Sequence, residues 1–193
     1  MIHNNCSGKH SGMVSATKHL GAKLETYLAP SHPLQKRNLA TIARFSGVSA
    51  RRIGLGTDGC SAPTFAIPLA SMARAMATFA AEDGSAQRVR DSMMAHPGMV
   101  GRPCVSIMSA ATGRIVAKGG AEGVYLCGLA GRPIGVALKV EDGNARAWVP
   151  VLASILRRLR LLPASDLEAL ERASDPVIRN HAGLDVGEVR VRI

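Results

Sequence analysis

The sequence predicts an α+β fold, an antiparallel sheet flanked by helices. Three short strand-like segments follow one another between residues 114 and 140 with only turn residues between them. That is the pattern of an antiparallel meander rather than of strands alternating with helices. On both sides of the meander, apolar residues recur at helical spacing. No internal repeat or low-complexity linker interrupts the sequence, so residues 1–193 are expected to form one domain.

A short helix is expected over 7–21, entered through an extended His3-Asn4-Asn5 and ended by Gly21. A second helix spans 33–46. Pro33 fits its first turn, where a missing N–H costs nothing, and Gly47 closes it. Residues 53–63 carry Gly54, Gly56, Gly59 and Pro63 and read as a loop. Pro68 opens the next helix, with Leu69, Met72, Met76 and Phe79 on one apolar face; methionine there is core filling. Glu82-Asp83-Gly84-Ser85 is a turn, a helix follows over 86–96, and 97–103 is a loop punctuated by proline and glycine.

The strands of the meander are expected at 114–118, 123–129 and 133–140, with a turn at Asp142-Gly143. A long helix over 144–161 would turn Leu152, Ile155, Leu156 and Leu159 to the core, with Pro150 either kinking it or marking its start. A short helix at 165–172 follows. The alternation of Val189, Val191 and Ile193 suits an outer strand over 186–193.

Aromatic residues make up only 3% of the sequence, so aliphatic side chains and methionine must fill the core. No apolar run of membrane-spanning length and no signal-peptide pattern is present, which points to the cytoplasm. Cys6, Cys60, Cys104 and Cys127 lie far apart with no CxxC, and are expected to be reduced. The formal charge of +10 raises the question of a nucleic-acid partner. The charge is dispersed, however. Its densest cluster, Arg157-Arg158-Leu159-Arg160, has no aromatic residue beside it on which a base could stack. We therefore expect no nucleic acid and no membrane among the partners.

Two segments carry reactive side chains. In His3-Asn4-Asn5-Cys6-Ser7-Gly8-Lys9-His10, Cys6 and Lys9 are three residues apart and share a helix face. Cys60 follows Asp58-Gly59 in the glycine-rich loop. Two thiolates and a nitrogen donor suit zinc, with His3 and His10 as ordinary nitrogen donors and Lys9 as an unusual one. The plainer alternative is a helix cap and two buried cysteines. In Lys118-Gly119-Gly120-Ala121-Glu122-Gly123, glycines after a strand-end lysine allow close approach of a substrate, or simply form a tight hairpin. Ser15-Ala16-Thr17-Lys18 has the SxxK spacing of a serine activated by lysine, but it sits in an ordinary helix pattern, and Ser7 reads as a cap.

Taken together, these segments resemble one family. His3 to Met13 is similar to the HNNCSGKHxGM signature of asparaginases related to the inducible, thermolabile rhizobial enzyme. Asp58 to Phe65 resembles its DGCxxPTF segment, and Lys118 to Val124 its KGGAEGV segment. Gly135–Gly143 and Val186–Arg190 also fit, in the same order. The resemblance implies a serine β-lactamase or glutaminase-like fold and hydrolysis of L-asparagine to L-aspartate and ammonia, by a serine that a neutral lysine activates. It implies zinc held by Cys6, Lys9 and Cys60. It further implies catalytic roles for Lys118 and Asp58, and substrate binding by Lys9, His10 and Lys139, with Lys139 the second claimant to the strand-lysine role. By the same resemblance, the Asp58 carboxylate could hold Lys9 or the substrate amine.

In that family the HNNCSGKH motif lies well inside the sequence, after the serine nucleophile and its SxxK lysine. Here only Met1-Ile2 precede it. The expectation is therefore a C-terminal part, incomplete at the N-terminus, that exposes a broad apolar face and partners a separate N-terminal half or a second copy. A zinc-binding or interaction protein without activity is the alternative.

Overall fold

The computed structural model describes residues 4–101, 103–174 and 176–193. Helix α1 runs over Asn5–His19, earlier than the expected start at residue 7. The reason is the cap: Asn4, not Ser7, is the N-cap, and its Oδ1 accepts from Cys6 N and Ser7 N. Helix α2, Pro33–Ser46, has the expected bounds, with Pro33 in its first turn and Gly47 left-handed at φ 70. The expected loop at 53–63 is instead part of an antiparallel hairpin of β1 (Gly54–Thr57) and β2 (Pro63–Ala66).

Helix α3, Leu69–Ala81, starts after Pro68 as expected. Its buried stripe is set by Met76 and Ala80, while Leu69 is exposed. Arg44 of α2 holds Glu82 at the end of α3 through two bonds of 2.6 and 2.9 Å. Buried Arg90 of α4 (Ser85–Ala95) donates to the carbonyls of Phe79 and Glu82, satisfying acceptors that the end of α3 leaves free. The expected loop at 97–103 holds a one-turn helix α5 (Pro97–Val100), and α6 (Cys104–Ala110) follows it.

The meander is present. Strands β3 (Ile115–Gly119), β4 (Val124–Leu129) and β5 (Gly135–Lys139) pair antiparallel in that order. The two faces of the sheet differ in residue size. On one, Gly128 and Gly135 admit α3: a Cβ on Gly128 would come within 2.8 Å of Ala80 Cβ, and one on Gly135 would collide with the Ala73 carbonyl. On the other, Ile115, Ala117, Tyr125, Cys127 and Leu129 pack with α6, α7 (Trp148–Arg158) and α8 (Ala164–Ser174) in the main hydrophobic core. The sheet is therefore covered by helices on both faces, and this mixture of helices with small antiparallel sheets is compatible with the α+β reading.

Pro150 lies in the first turn of α7, so it marks the start of the helix and does not kink it. Leu152 and Leu156 are fully buried, whereas Leu159 caps the helix and is 59% exposed. The outer strand is shorter than expected: β7 (Asp185–Glu188) pairs with β6 (Val177–Arg179), and 189–193 are not in strand. Among the described residues no helix is long and apolar enough to cross a membrane. Exposed apolar side chains are spread over several elements, and an apolar groove of about 580 Å³ opens between α4 and α5 beside Val89, Met93 and Met99.

Candidate functional site

The first turn of α1 and the β1–β2 turn bring four of the expected residues together. The Asp58 carboxylate organises its own turn: Oδ1 accepts from Cys60 N at 2.8 Å and Ala62 N at 2.9 Å. Ser61 adopts a left-handed φ of 66 inside this turn. The other carboxylate oxygen, Oδ2, pairs with Lys9 Nζ. One turn back along α1, Cys6 Sγ lies 2.8 Å from Cys60 Sγ. Residues far apart in sequence thus form a compact group of two thiols, an ammonium and a carboxylate, and both cysteines are half-buried.

The charges in this group reinforce one another. The Lys9 hydrogen bond, with help from the Ala62 amide, holds the Asp58 carboxyl at about 2. Burial works against the Lys9 ammonium, but the Asp58 hydrogen bond and charge outweigh it and raise its pKa. The Cys60 thiol is pushed up, chiefly by its hydrogen bond to Cys6.

The donor chemistry fits zinc in part. Two sulfurs converge, which is the usual beginning of a tetrahedral site. Lys9 is charged and paired with Asp58, so it can ligate only by giving up its proton. Among the described residues, no group of three histidine, cysteine or acidic side chains is arranged to hold a metal. His10 points to another partner: its Nδ1 is hydrogen-bonded to the Tyr27 hydroxyl at 2.6 Å, and its buried Nε2 has no partner among the described residues. His3 lies outside the described residues.

Lys118 and Lys139 sit on the sheet, away from this group in the hydrogen-bond network. No hydrogen bond or ion pair among the described residues joins Lys118 to Cys6, Lys9, Asp58 or Cys60. Lys118 is half-buried near the end of β3, and its Nζ donates to Gly119 O at 2.5 Å. Behind it, Gly119 N donates to Cys104 Sγ at 3.2 Å, and a Cβ on Gly119 would come within 2.9 Å of the Trp148 ring. Lys139, at the exposed end of β5, donates to the carbonyls of Glu122 and Val140. It thereby closes the turn in which Glu122 adopts a left-handed φ of 56.

Ser15 and Lys18 are both exposed on α1. No serine hydroxyl among the described residues is hydrogen-bonded to a lysine. Tyr27, Cys104 and Trp148 complete the surroundings of the expected residues. They are not legible as partners in the sequence, because each contact joins residues far apart along it. The one usable signal is Trp148 itself, the sole tryptophan, two residues before Pro150.

No curated protein matches the sequence. The family described as L-asparaginase II matches residues 1–191. The match takes in the sulfur cluster, the Lys118 turn and the C-terminal hairpin alike, and the chain belongs to the L-asparaginase II family.

Proposed function

We propose that the protein serves the hydrolysis of L-asparagine to L-aspartate and ammonia, with zinc bound between α1 and the β1–β2 turn. Family membership over residues 1–191 supports the reaction. The convergence of Cys6, Lys9, Asp58 and Cys60 is the observation that carries the site. Cys6 and Cys60 would supply the two sulfurs, and Lys9 the nitrogen after proton loss. Bound there, zinc supplies a fixed positive charge that orients the substrate. Asp58 stays ionised and is an acceptor for the substrate α-ammonium or for Lys9. Lys118 offers a cation at the strand end for the substrate carboxylate or for charge developing on the amide oxygen. Lys139 is the second claimant for that role, and His10, held by Tyr27, is the remaining candidate for substrate binding. A serine β-lactamase-like fold is supported by the helix-covered meander with Lys118-Gly119-Gly120 at the end of its first strand.

The overall reaction breaks the amide C–N bond of the substrate, forms a C–O bond from water and releases ammonia. The resemblance assigns the attack to a serine whose proton a neutral lysine takes. Ser15 and Lys18 are exposed and unjoined, which favours a second reading, a zinc-binding protein without amidase activity. Ammonia release from L-asparagine by the purified protein, with zinc content measured alongside, separates the two. Turnover with one equivalent of zinc supports the first reading. One equivalent of zinc without turnover leaves the second. Turnover without zinc uptake would keep the reaction, remove the metal from it and overturn the second reading.

A further inference from the structure

We propose that Cys6 and Cys60 form a reversible disulfide by exchange with a small-molecule disulfide of the glutathione class, and that this bond and zinc exclude one another. Only the second half rests on the zinc reading above. The sulfurs stand 2.8 Å apart, on two elements that hydrogen bonds fix separately: Asn4 caps the first turn of α1, and the Asp58 carboxylate ties the turn that carries Cys60. Reaching the disulfide bond length of about 2.05 Å needs an approach of roughly 0.8 Å. Holding one tetrahedral zinc through bonds of about 2.3 Å needs the sulfurs to open to roughly 3.8 Å. The observed pair lies closer to the first arrangement than to the second.

Access separates this pair from the other cysteines. Cys6 and Cys60 are half-buried, within reach of a dissolved reagent. Cys104 and Cys127 are each 1% exposed inside the main core, where burial also pushes the Cys127 thiol up to about 12.

The exchange balances in two displacements. The sulfur of Cys6, as thiolate, attacks one sulfur of the small disulfide, forming a mixed disulfide and expelling the first small thiol. Cys60, as thiolate, then attacks the Cys6 sulfur, forming the Cys6–Cys60 bond and expelling the second. The two protein sulfurs are oxidised, the two small-molecule sulfurs are reduced, and the two thiol protons end on the released thiols. Neither protein sulfur then remains a thiolate able to ligate zinc. The same two residues would thus report the thiol balance of the surroundings to the candidate site.

The test uses the full-length protein, reduced, with and without added zinc, treated with oxidised glutathione. Non-reducing peptide mapping, intact mass and zinc content are read together. The expected product is lighter by two hydrogens, with the Cys6 peptide joined to the Cys60 peptide, and dithiothreitol reverses it. Zinc-loaded protein should oxidise at least ~10-fold more slowly and lose its zinc as the bond forms. Cys60→Ser should stop at one glutathione on Cys6. Glutathione on Cys6 and Cys60 without a cross-link, or oxidation confined to Cys104 and Cys127, overturns the disulfide. Full zinc retention after the cross-link forms overturns the exclusion alone. A cross-link in reduced protein that never took up zinc leaves the disulfide standing and removes the zinc reading.

Discussion

The indole nitrogen of Trp148 donates to the carbonyl of Gly123 at 3.0 Å, pinning the first residue of α7 to the turn between β3 and β4. Val140 N reaches the same carbonyl at 3.0 Å, and the Trp148 ring lies 5.0 Å from that of Tyr125. One buried residue therefore supports both the turn after Lys118 and the closely approached Gly119.

Trp148→Phe should destabilise the fold by about 2 kcal/mol, from the lost donor together with the unfilled volume of the second ring. Gly123 O keeps its Val140 partner, so the carbonyl is not orphaned and the loss should stay moderate. Urea unfolding measures it. A midpoint unchanged from the parent would show that the indole is not what holds the turn.

Gly128→Ala and Gly135→Ala test the packing of α3 on the sheet. Each added methyl meets α3 backbone, a neighbour that can retreat only if the whole helix shifts. Overpacking of this kind costs roughly 1–3 kcal/mol. Gly135 should be the worse site, because its methyl would meet both the Ala73 carbonyl and the Ala77 nitrogen. Gly113→Ala is a useful contrast: nothing lies near its Cβ, so any cost there comes from its φ of 73 alone. Equal stability for the Gly128 and Gly135 variants and the parent would mean that α3 does not pack tightly.

What the sequence discloses and what it conceals follow a physical division. Helix α2 is legible because Pro33 and Gly47 punctuate it locally, and the β3–β5 meander because its strands alternate with glycine turns. Strand β1 is not, because Gly54 and Gly56 look like loop residues. The partner strand stands close to both: a Cβ on Gly54 would lie 3.2 Å from Ala66 Cβ, and one on Gly56 3.3 Å from Thr64 Cγ2, a proximity that only the pairing reveals. Helix α6 is announced by no capping side chain. In the candidate site, the residue types Cys6, Lys9, Asp58 and Cys60 are readable, and the resemblance brings Lys9 and Asp58 together. The turning of His10 to Tyr27 is not readable, because it depends on how α1 meets the segment that follows it.

The Lys9–Asp58 pair should give stability a defined pH window. Asp58 has a folded pKa of about 2 against an ordinary 3.8, so its contribution is full above pH 3.8 and is lost as pH falls through about 2. Lys9 is raised above 10.5, so its contribution is full below that pH and is lost only in stronger base. Asp58→Asn keeps an oxygen acceptor for the Cys60 and Ala62 amides and removes both the charge and the acceptor that face Lys9. The difference in Tm between parent and variant should therefore be constant through the neutral range and shrink below pH 3.8. A difference as large at the acid end as at neutrality would assign the effect to the turn and not to the ion pair.

Lys118 and Lys139 compete for one catalytic assignment, and their surroundings separate them. The ammonium of Lys139 is engaged by the Glu122 and Val140 carbonyls of the turn it closes. Lys118 donates to the carbonyl of its neighbour Gly119, and an ammonium has three protons to give, which leaves it donors to meet a substrate. Lys118→Ala should lower kcat/KM for L-asparagine by at least ~10²-fold with little change in Tm, as the loss of a group that stabilises the transition state does. Lys139→Ala should do the reverse, lowering Tm while kcat/KM stays within about threefold of the parent. Paired kinetics and thermal unfolding decide it. A loss below about threefold for Lys118→Ala, beside a large loss for Lys139→Ala, would move the catalytic cation to the end of β5.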